Sequence, residues 1–363
     1  MRQSTADVVI CGGGVMGAGL AYELAGRGAR PLLIESRAIA SGASGKAAGL
    51  LSPASDARAV GPLGLLWRAS LARHHELAEE LKALGAPGYG FEESPSLLIA
   101  ADAAEAHTLR QAAPSRWLEP DEVRARCAWI DGPIEGGLLR EASAAINPAA
   151  FTQALIHAAQ ARGARIEHGR VTGLSLNGRS VAGVRVGGEV ISTNTVVLAM
   201  GPWTSEIGSW IGSRVPVTPL KGQILRLRLP PAPAETRFSD MDGNYMARKS
   251  DGLVYVGTTE EQVGFDETPT AAARRQILRQ AGRFVSAVSQ AEVVGQTACL
   301  RPLSPDGLPI LGEAPRLSGV FIATGHGRAG LLLAPGSAAA LAAHITGEPP
   351  AIDLAPFEPA RFA

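Results

Sequence analysis

Between Asp7 and Glu35 the chain carries strand, glycine loop, helix, strand and acid in that order. This series matches a dinucleotide-binding βαβ unit and constrains the fold more than any other stretch. Val8, Val9 and Ile10 are a β-branched run of the kind that fills a buried parallel strand. Gly12, Gly13, Gly14 and Gly17, with Val15 and Met16 among them, place glycine where a strand turns tightly into a helix, where backbone approaches a pyrophosphate and where helix packs on strand. Leu20, Ala21, Leu24 and Ala25 recur at helical spacing, Gly28 suits the C-terminal cap, and Leu32, Leu33 and Ile34 form a second buried strand. Glu35 ends that strand 23 residues after Gly12, where a carboxylate can accept both ribose hydroxyls of an adenosine.

The following segment favours FAD among the dinucleotides. Ser41 to Leu51, with Ser44, Lys46, Ala48, Gly49 and Leu50, is rich in small and hydroxyl residues that let a loop and helix N-terminus wrap a second phosphate. On composition alone the loop at 41–55 equally reads as a flexible surface segment. Ser36 and Arg37 follow Glu35, but a carboxylate there repels a 2′-phosphate, which disfavours NADP.

The 363 residues suffice for two domains, with 46% hydrophobic residues and a formal net charge of zero. Lys and Arg are dispersed among acids, so no basic stripe exists for nucleic acid. Cys11, Cys127 and Cys299 are far apart and lack CxxC spacing, which argues against a disulfide framework or a zinc site, and no metal is expected. A cytoplasmic location follows as the default. The first strand begins within seven residues, leaving no space for a signal peptide, and no apolar run reads as membrane-spanning. Peripheral membrane association and homo-oligomers stay open.

The organisation is interleaved. Leu63 to Leu84 reads as a helix with Leu66, Leu71, Leu77 and Leu81 recurring on one side, and His74 and His75 on its solvated face; adjacent helical positions diverge by about 100°, so the pair cannot chelate one ion. Short strands and turns follow, with Leu97 to Ile99 the clearest strand and Glu119-Pro120 a helix start. Asn147-Pro148 caps a helix that Gly163 closes. Strands are expected at 165–168, 171–176 (opening on Val171), 181–186, 190–193 and 196–200, the last leading into Gly201-Pro202-Trp203. A second excursion from Val215 carries strands over 222–229 and 253–256 and a helix from Pro269 to Val288. The chain returns with a strand at 319–325 and a helix from Gly330. The expected architecture is α/β: a Rossmann-type FAD-binding domain from residues 1–87, 146–214 and 296–363, and an α+β substrate domain from 88–145 and 215–295 with a large mixed or antiparallel sheet.

The glycine loop, the Ser41 to Gly49 stretch, Ala199-Met-Gly201-Pro-Trp203, Leu300-Arg301-Pro302 with Pro305-Asp-Gly-Leu-Pro-Ile310, and Gly325-His-Gly327-Arg328-Ala-Gly330 with Ala334-Pro335 resemble, in order, the D-amino-acid-oxidase-type flavoproteins. Within that family the chain is most similar to glycine oxidases. The resemblance covers nearly the whole chain and implies FAD bound by these motifs, including Ala199, Gly201, Trp203, Gly325, Gly327, Gly330, Leu331 and the clamp arginines themselves. It implies a small amino-acid or amine substrate whose carboxylate is held by Arg301, Tyr245 and Arg328, a task suited to guanidinium forks and a phenol. Hydride then passes from the neutral amine's α-carbon to the flavin, giving an imine that water hydrolyses. The implied electron acceptor is oxygen, with a quinone or a partner subunit of a dehydrogenase complex as alternatives. Three departures bear on chemistry: Gly327 and Ala329 replace larger residues and widen the site, Cys299 stands where sarcosine oxidases link their flavin, and Tyr255 stands near the place of those enzymes' oxygen-activating lysine. A noncovalent flavin and substrates larger than glycine are the expectations.

Overall fold

Residues 5–52, 61–111 and 116–363 are described by the structure, a computed structural model. The β-branched run at the start becomes the strand Val8–Cys11, paired in parallel with Pro31–Glu35 on one side and Val196–Leu198 on the other. Val320–Thr324 and Arg165–His168 extend this parallel sheet, and antiparallel Ile310–Glu313 makes it six-stranded. Helices Val15–Gly26, Pro148–Ala161 and Gly330–Thr346 pack with Pro62–Ala83 in one layer on it. Leu20, Leu24 and Phe151 are fully buried there, each stabilising the fold by roughly 1.5–3 kcal/mol relative to an exposed side chain. The opposite face is covered by a three-stranded antiparallel sheet, Val171–Asn177, Ser180–Val186 and Glu189–Ser192.

The second sheet has eight strands, in the order Glu292–Leu303, Thr218–Arg228, Val254–Gly257, Tyr245–Arg248, Phe238–Ser239, Ser96–Ala100, Gly136–Arg140 and Arg116–Leu118. It is mixed, because Phe238–Ser239 runs parallel to Ser96–Ala100 while the other pairs are antiparallel. The strand Glu292–Leu303 pairs along the full length of Thr218–Arg228 and so runs across the boundary expected at 296. Residues 296–303 lie in this sheet, and the first sheet is rejoined at Ile310. The helix expected over 269–288 divides into Ala271–Gly282 and a 3₁₀ turn, Ser286–Gln290. The loop expected over 41–55 holds a helical turn, Ala43–Lys46, and a short strand, Leu50–Leu51; residues 53–55 lie outside the described residues.

Two expectations are corrected by packing. His74 is not on a solvated face: it is fully buried, with Nε2 3.0 Å from the Leu331 carbonyl oxygen of the final helix. His75 meets solvent and pairs with Glu93 at 3.1 Å, since neighbouring helical positions point about 100° apart. The segment Gly327–Thr346 is long and apolar enough to cross a membrane by length and composition, contrary to the sequence reading, and 67% of its most apolar window is buried inside the protein.

Burial lowers the His74 imidazole from the usual 6.5 to about 4, and does the same to His326. As pH falls the unfolded chain binds these protons first, so the folded state loses stability between about pH 6.5 and about pH 4 and keeps it above that window. Denaturant unfolding of wild type and His74→Gln at about pH 7 and about pH 5 checks this, the variant being expected to lose less stability between the two.

Candidate active site

A cavity of about 1640 Å³ lies between the two large sheets. Its first wall is the glycine loop. Gly12 has φ +113°, and a Cβ there would stand 2.5 Å from the Ala199 carbonyl oxygen; a Cβ on Gly17 would stand 1.9 Å from the carbonyl oxygen of Gly12. Only glycine satisfies both the turn and the close helix–loop approach. The helix beginning at Val15 has Gly14 as its cap, with no capping side chain and no acid in its first turn, so its dipole favours an anion in the cavity. Ser44 Oγ accepts the Val15 N–H at 2.9 Å and brings the second loop over the same helix end. Glu35 accepts the N–H groups of Gly13 and Arg37, both at 2.6 Å, which fixes its carboxylate on the cavity wall. A helix end with no acid in its first turn, a second hydroxyl-bearing loop over it and a fixed acid fit the pyrophosphate and ribose of FAD.

Beside Glu35, the Arg37 guanidinium lies 4.6 Å from the centre of the Trp203 ring, and Trp203 stacks on Phe265 at 5.8 Å. Arg37 Nη1 and Lys46 Nζ both reach Glu267, at 2.8 and 3.2 Å. Burial alone would raise the Glu267 carboxyl, but hydrogen bonds from Arg37 and Lys46 hold it below the ordinary range. Phe265 and Glu267 follow the strand Val254–Gly257 of the second sheet, so these contacts fasten one wall of the cavity to the other. Loss of two partly exposed ion pairs worth about 0.2–1 kcal/mol each makes Glu267→Ala release FAD roughly two- to thirtyfold faster, readable as flavin fluorescence appearing after dilution.

Three side chains converge at the second sheet, two from its strands and Arg328 from the turn after Val320–Thr324. Arg301, on Glu292–Leu303, lays its guanidinium against Gly222 of the neighbouring strand, where a Cβ would come within 2.2 Å of Nη2. Its Nη2 donates to Thr258 Oγ1 at 2.7 Å and its Nη1 to the Thr259 carbonyl at 3.3 Å. Tyr245 lies over Gly257, where a Cβ would stand 2.6 Å from the phenol oxygen. Burial pushes this phenol well above its usual value against the pull of Arg301, leaving a neutral hydroxyl at physiological pH. Arg328 donates to the Gly243 carbonyl at 2.7 Å, in a turn where Asn244 gives its backbone and side-chain N–H groups to the two oxygens of Asp240, each at 2.8 Å.

All the expected site residues line the cavity except Gly17 and Gly325. Ser36, Ala48, Gly49, Leu50, Val171, Gly201, Gly330 and Leu331 are on its wall, together with Val15, Met16, Tyr245, Arg301 and Arg328. Gly17 instead serves the helix contact, and Gly325, at φ +79°, packs a hypothetical Cβ 3.2 Å from Ile310. Gly327 lines the cavity with nothing nearer to a Cβ than Leu303, at 3.7 Å, but its φ of +53° means that backbone conformation also favours glycine there. Tyr255 is not in the site: its hydroxyl donates to Asp251 at 3.0 Å, whereas Lys46 does line the cavity. Cys299 lines it too, its thiol raised by burial. His326 is buried with Nε2 3.1 Å from Ser337 Oγ.

Sequence reading missed Gly222, Gly257, Thr258, Glu267 and the Asp240–Asn244 turn. Only the last left a local signal, an Asp-x-Asp-Gly-Asn turn composition. Among the described residues no group of His, Cys, Asp and Glu could hold a metal ion.

The family model described as FAD dependent oxidoreductase, DAO, matches residues 7–344. A glycine oxidase of Geobacillus kaustophilus is 32% identical, over 98% of this chain and 97% of that protein. The crystal structure of glycine oxidase from Geobacillus kaustophilus aligns with a TM-score of 0.93 at 30% identity, covering 99% of this chain and 100% of that one. Hydrogen cyanide synthase subunit HcnC of Pseudomonas aeruginosa is 30% identical over 99% of this chain and 96% of its own length.

Proposed function

We propose, from the premise that the chain belongs to the DAO family of FAD-dependent oxidoreductases, that it oxidises glycine-like, N-alkyl or D-amino acids to an imine that water hydrolyses to an oxoacid, with oxygen as electron acceptor. That it is an FAD-dependent amino-acid or amine oxidoreductase follows from the family and its glycine-oxidase relatives. The finer reading is carried by one observation, the convergence of Arg301, Arg328 and Tyr245 on the cavity that the glycine loop walls.

Bound FAD supplies a two-electron acceptor for the hydride that leaves the substrate α-carbon. Arg301 binds the substrate carboxylate by charge-assisted hydrogen bonds, its guanidinium aimed by Thr258 and Thr259. The neutral Tyr245 hydroxyl donates a further bond, and Arg328, steadied by the Gly243 carbonyl, adds positive charge. Fixing the carboxylate restricts where the α-carbon sits, which converts binding energy into orientation. Asp240 is committed to its turn, since both its oxygens accept from Asn244, and it is not assigned a proton-transfer role. The open space at Gly327 leaves room for an α-side chain or N-alkyl group.

Anaerobic mixing with a panel of amino acids, read as flavin bleaching, tests this. N-methylglycine or a larger D-amino acid is expected to reduce the flavin at least as fast as glycine, and the reduced protein to reoxidise in air-saturated buffer. If dithionite bleaches the flavin and no α-amino acid does, the substrate reading fails. HcnC is named as a subunit, which supports a second reading in which the electrons pass to a partner protein, with a quinone as the further alternative. Reduced flavin that persists in air yet is quickly oxidised by a quinone analogue selects it.

A further inference from the structure

One carboxylate touches both clamp arginines. Glu260 Oε1 stands 3.5 Å from Arg301 Nη1 and 3.3 Å from Arg328 Nη1. Arg301 lies on the strand Glu292–Leu303 and Arg328 in the turn that follows Val320–Thr324, while Glu260 follows directly on Thr258 and Thr259, which aim Arg301. Its side chain is 45% exposed, against 12% for Arg301, so it sits at the rim, while the substrate side of the clamp faces the cavity. The carboxylate offsets one unit of the positive charge that the two guanidiniums bring to this point.

We propose that Glu260 is a specificity-determining residue: it lowers the positive charge of the head-group site and so cuts back the advantage that two guanidiniums alone would give dianionic ligands over those with a single carboxylate at that end. The inference rests on the reading of Arg301 and Arg328 as a carboxylate clamp. A second negative charge on the ligand, close to the reacting end, meets the Glu260 carboxylate, and like charges at this range repel. Removing the Glu260 charge raises the charge of the site by one unit. Coulomb energy scales with ligand charge, so every anion gains, and a dianion gains about twice as much on a logarithmic scale. At a half-exposed position this amounts to a gain of roughly threefold for a monoanion and roughly tenfold for a dianion.

The test is titration of the FAD-loaded protein with acetate and with malonate at low ionic strength, followed by perturbation of the flavin absorbance, in wild type, Glu260→Gln and Arg301→Ala. Glu260→Gln is isosteric and half-exposed, so the fold is retained, and melting curves verify that. The expected result is that Arg301→Ala weakens acetate binding by about 10- to 150-fold and that Glu260→Gln strengthens malonate binding by about the square of its effect on acetate. If Arg301→Ala weakens acetate binding while Glu260→Gln changes neither ligand, or changes both by the same factor, Glu260 does not select by charge and this inference alone is overturned. If acetate binds equally well to Arg301→Ala, the clamp itself is overturned, and with it the premise of the inference.

Discussion

Arg301→Ala lowers kcat/KM for the best amino-acid reductant by about 10- to 150-fold, the loss expected from removing about 1.5–3 kcal/mol of charge-assisted hydrogen bonding to a carboxylate. The flavin content survives, because truncation leaves the Arg301 backbone in its pairing with Leu220 and touches neither the glycine loop nor Glu35. Thr258 Oγ1 and the Thr259 carbonyl lose their donor, so a melting curve accompanies the kinetics to separate lost stability from lost binding. Arg301→Lys keeps the charge but not the planar fork, and recovers only part of the loss. An unchanged kcat/KM in Arg301→Ala places the substrate carboxylate elsewhere.

Gly12→Ala is expected to yield protein that purifies nearly colourless. Its Cβ meets the Ala199 carbonyl oxygen at 2.5 Å and the Met200 Cα at 3.3 Å, both of them backbone, so no flexible side chain can swing away. The residue also keeps φ +113°, which an L-residue with a Cβ rarely adopts. Backbone strain of about 1–3 kcal/mol adds to an overpacking cost of about 1–3 kcal/mol. The cheapest relief is to move the loop away from the strand leading to Ala199, which opens the wall against which FAD binds. Spectrophotometric flavin-to-protein ratio and FAD titration of the apoprotein measure the outcome, expected as a loss of affinity of more than about tenfold. Stoichiometric FAD with unchanged affinity means the loop tolerates the methyl group and the steric account is wrong. Gly28→Ala serves as a control, because φ is +84° there but no atom lies within 4 Å of the added Cβ, so only the strain applies and the cavity is untouched.

Local pattern made the nucleotide unit legible. Val8–Cys11, the glycine loop and Glu35 lie within one stretch of 29 residues, where turn, helix and strand preferences act over neighbours in sequence. The cap at Asn147, which accepts the Ala150 N–H at 3.1 Å, and the capping box at Glu119 and Glu122 are local in the same way. Arg301, Arg328 and Tyr245 stand out in sequence only through motifs whose order along the chain resembles a known family, not through periodicity.

What lay outside sequence reading depends on which strands become neighbours. Gly222 makes room for Arg301 only because Thr218–Arg228 pairs with Glu292–Leu303, some 80 residues away, and Gly257 does so for Tyr245 only because Val254–Gly257 pairs with Tyr245–Arg248. A glycine that accommodates a neighbour's side chain looks in sequence like any turn glycine. His74 and His75 show the same limit from the other direction: helical periodicity separates their faces, but only the position of the final helix decides that one is buried and the other wet. The chain's own order of residues thus determined the dinucleotide loop, the secondary structure around it and the chemical types available to the site. Tertiary pairing decided their convergence, because Glu260 acquires two cationic neighbours, and Glu267 a grip on Arg37 and Lys46, through contacts that span tens to hundreds of residues and leave no short-range signature.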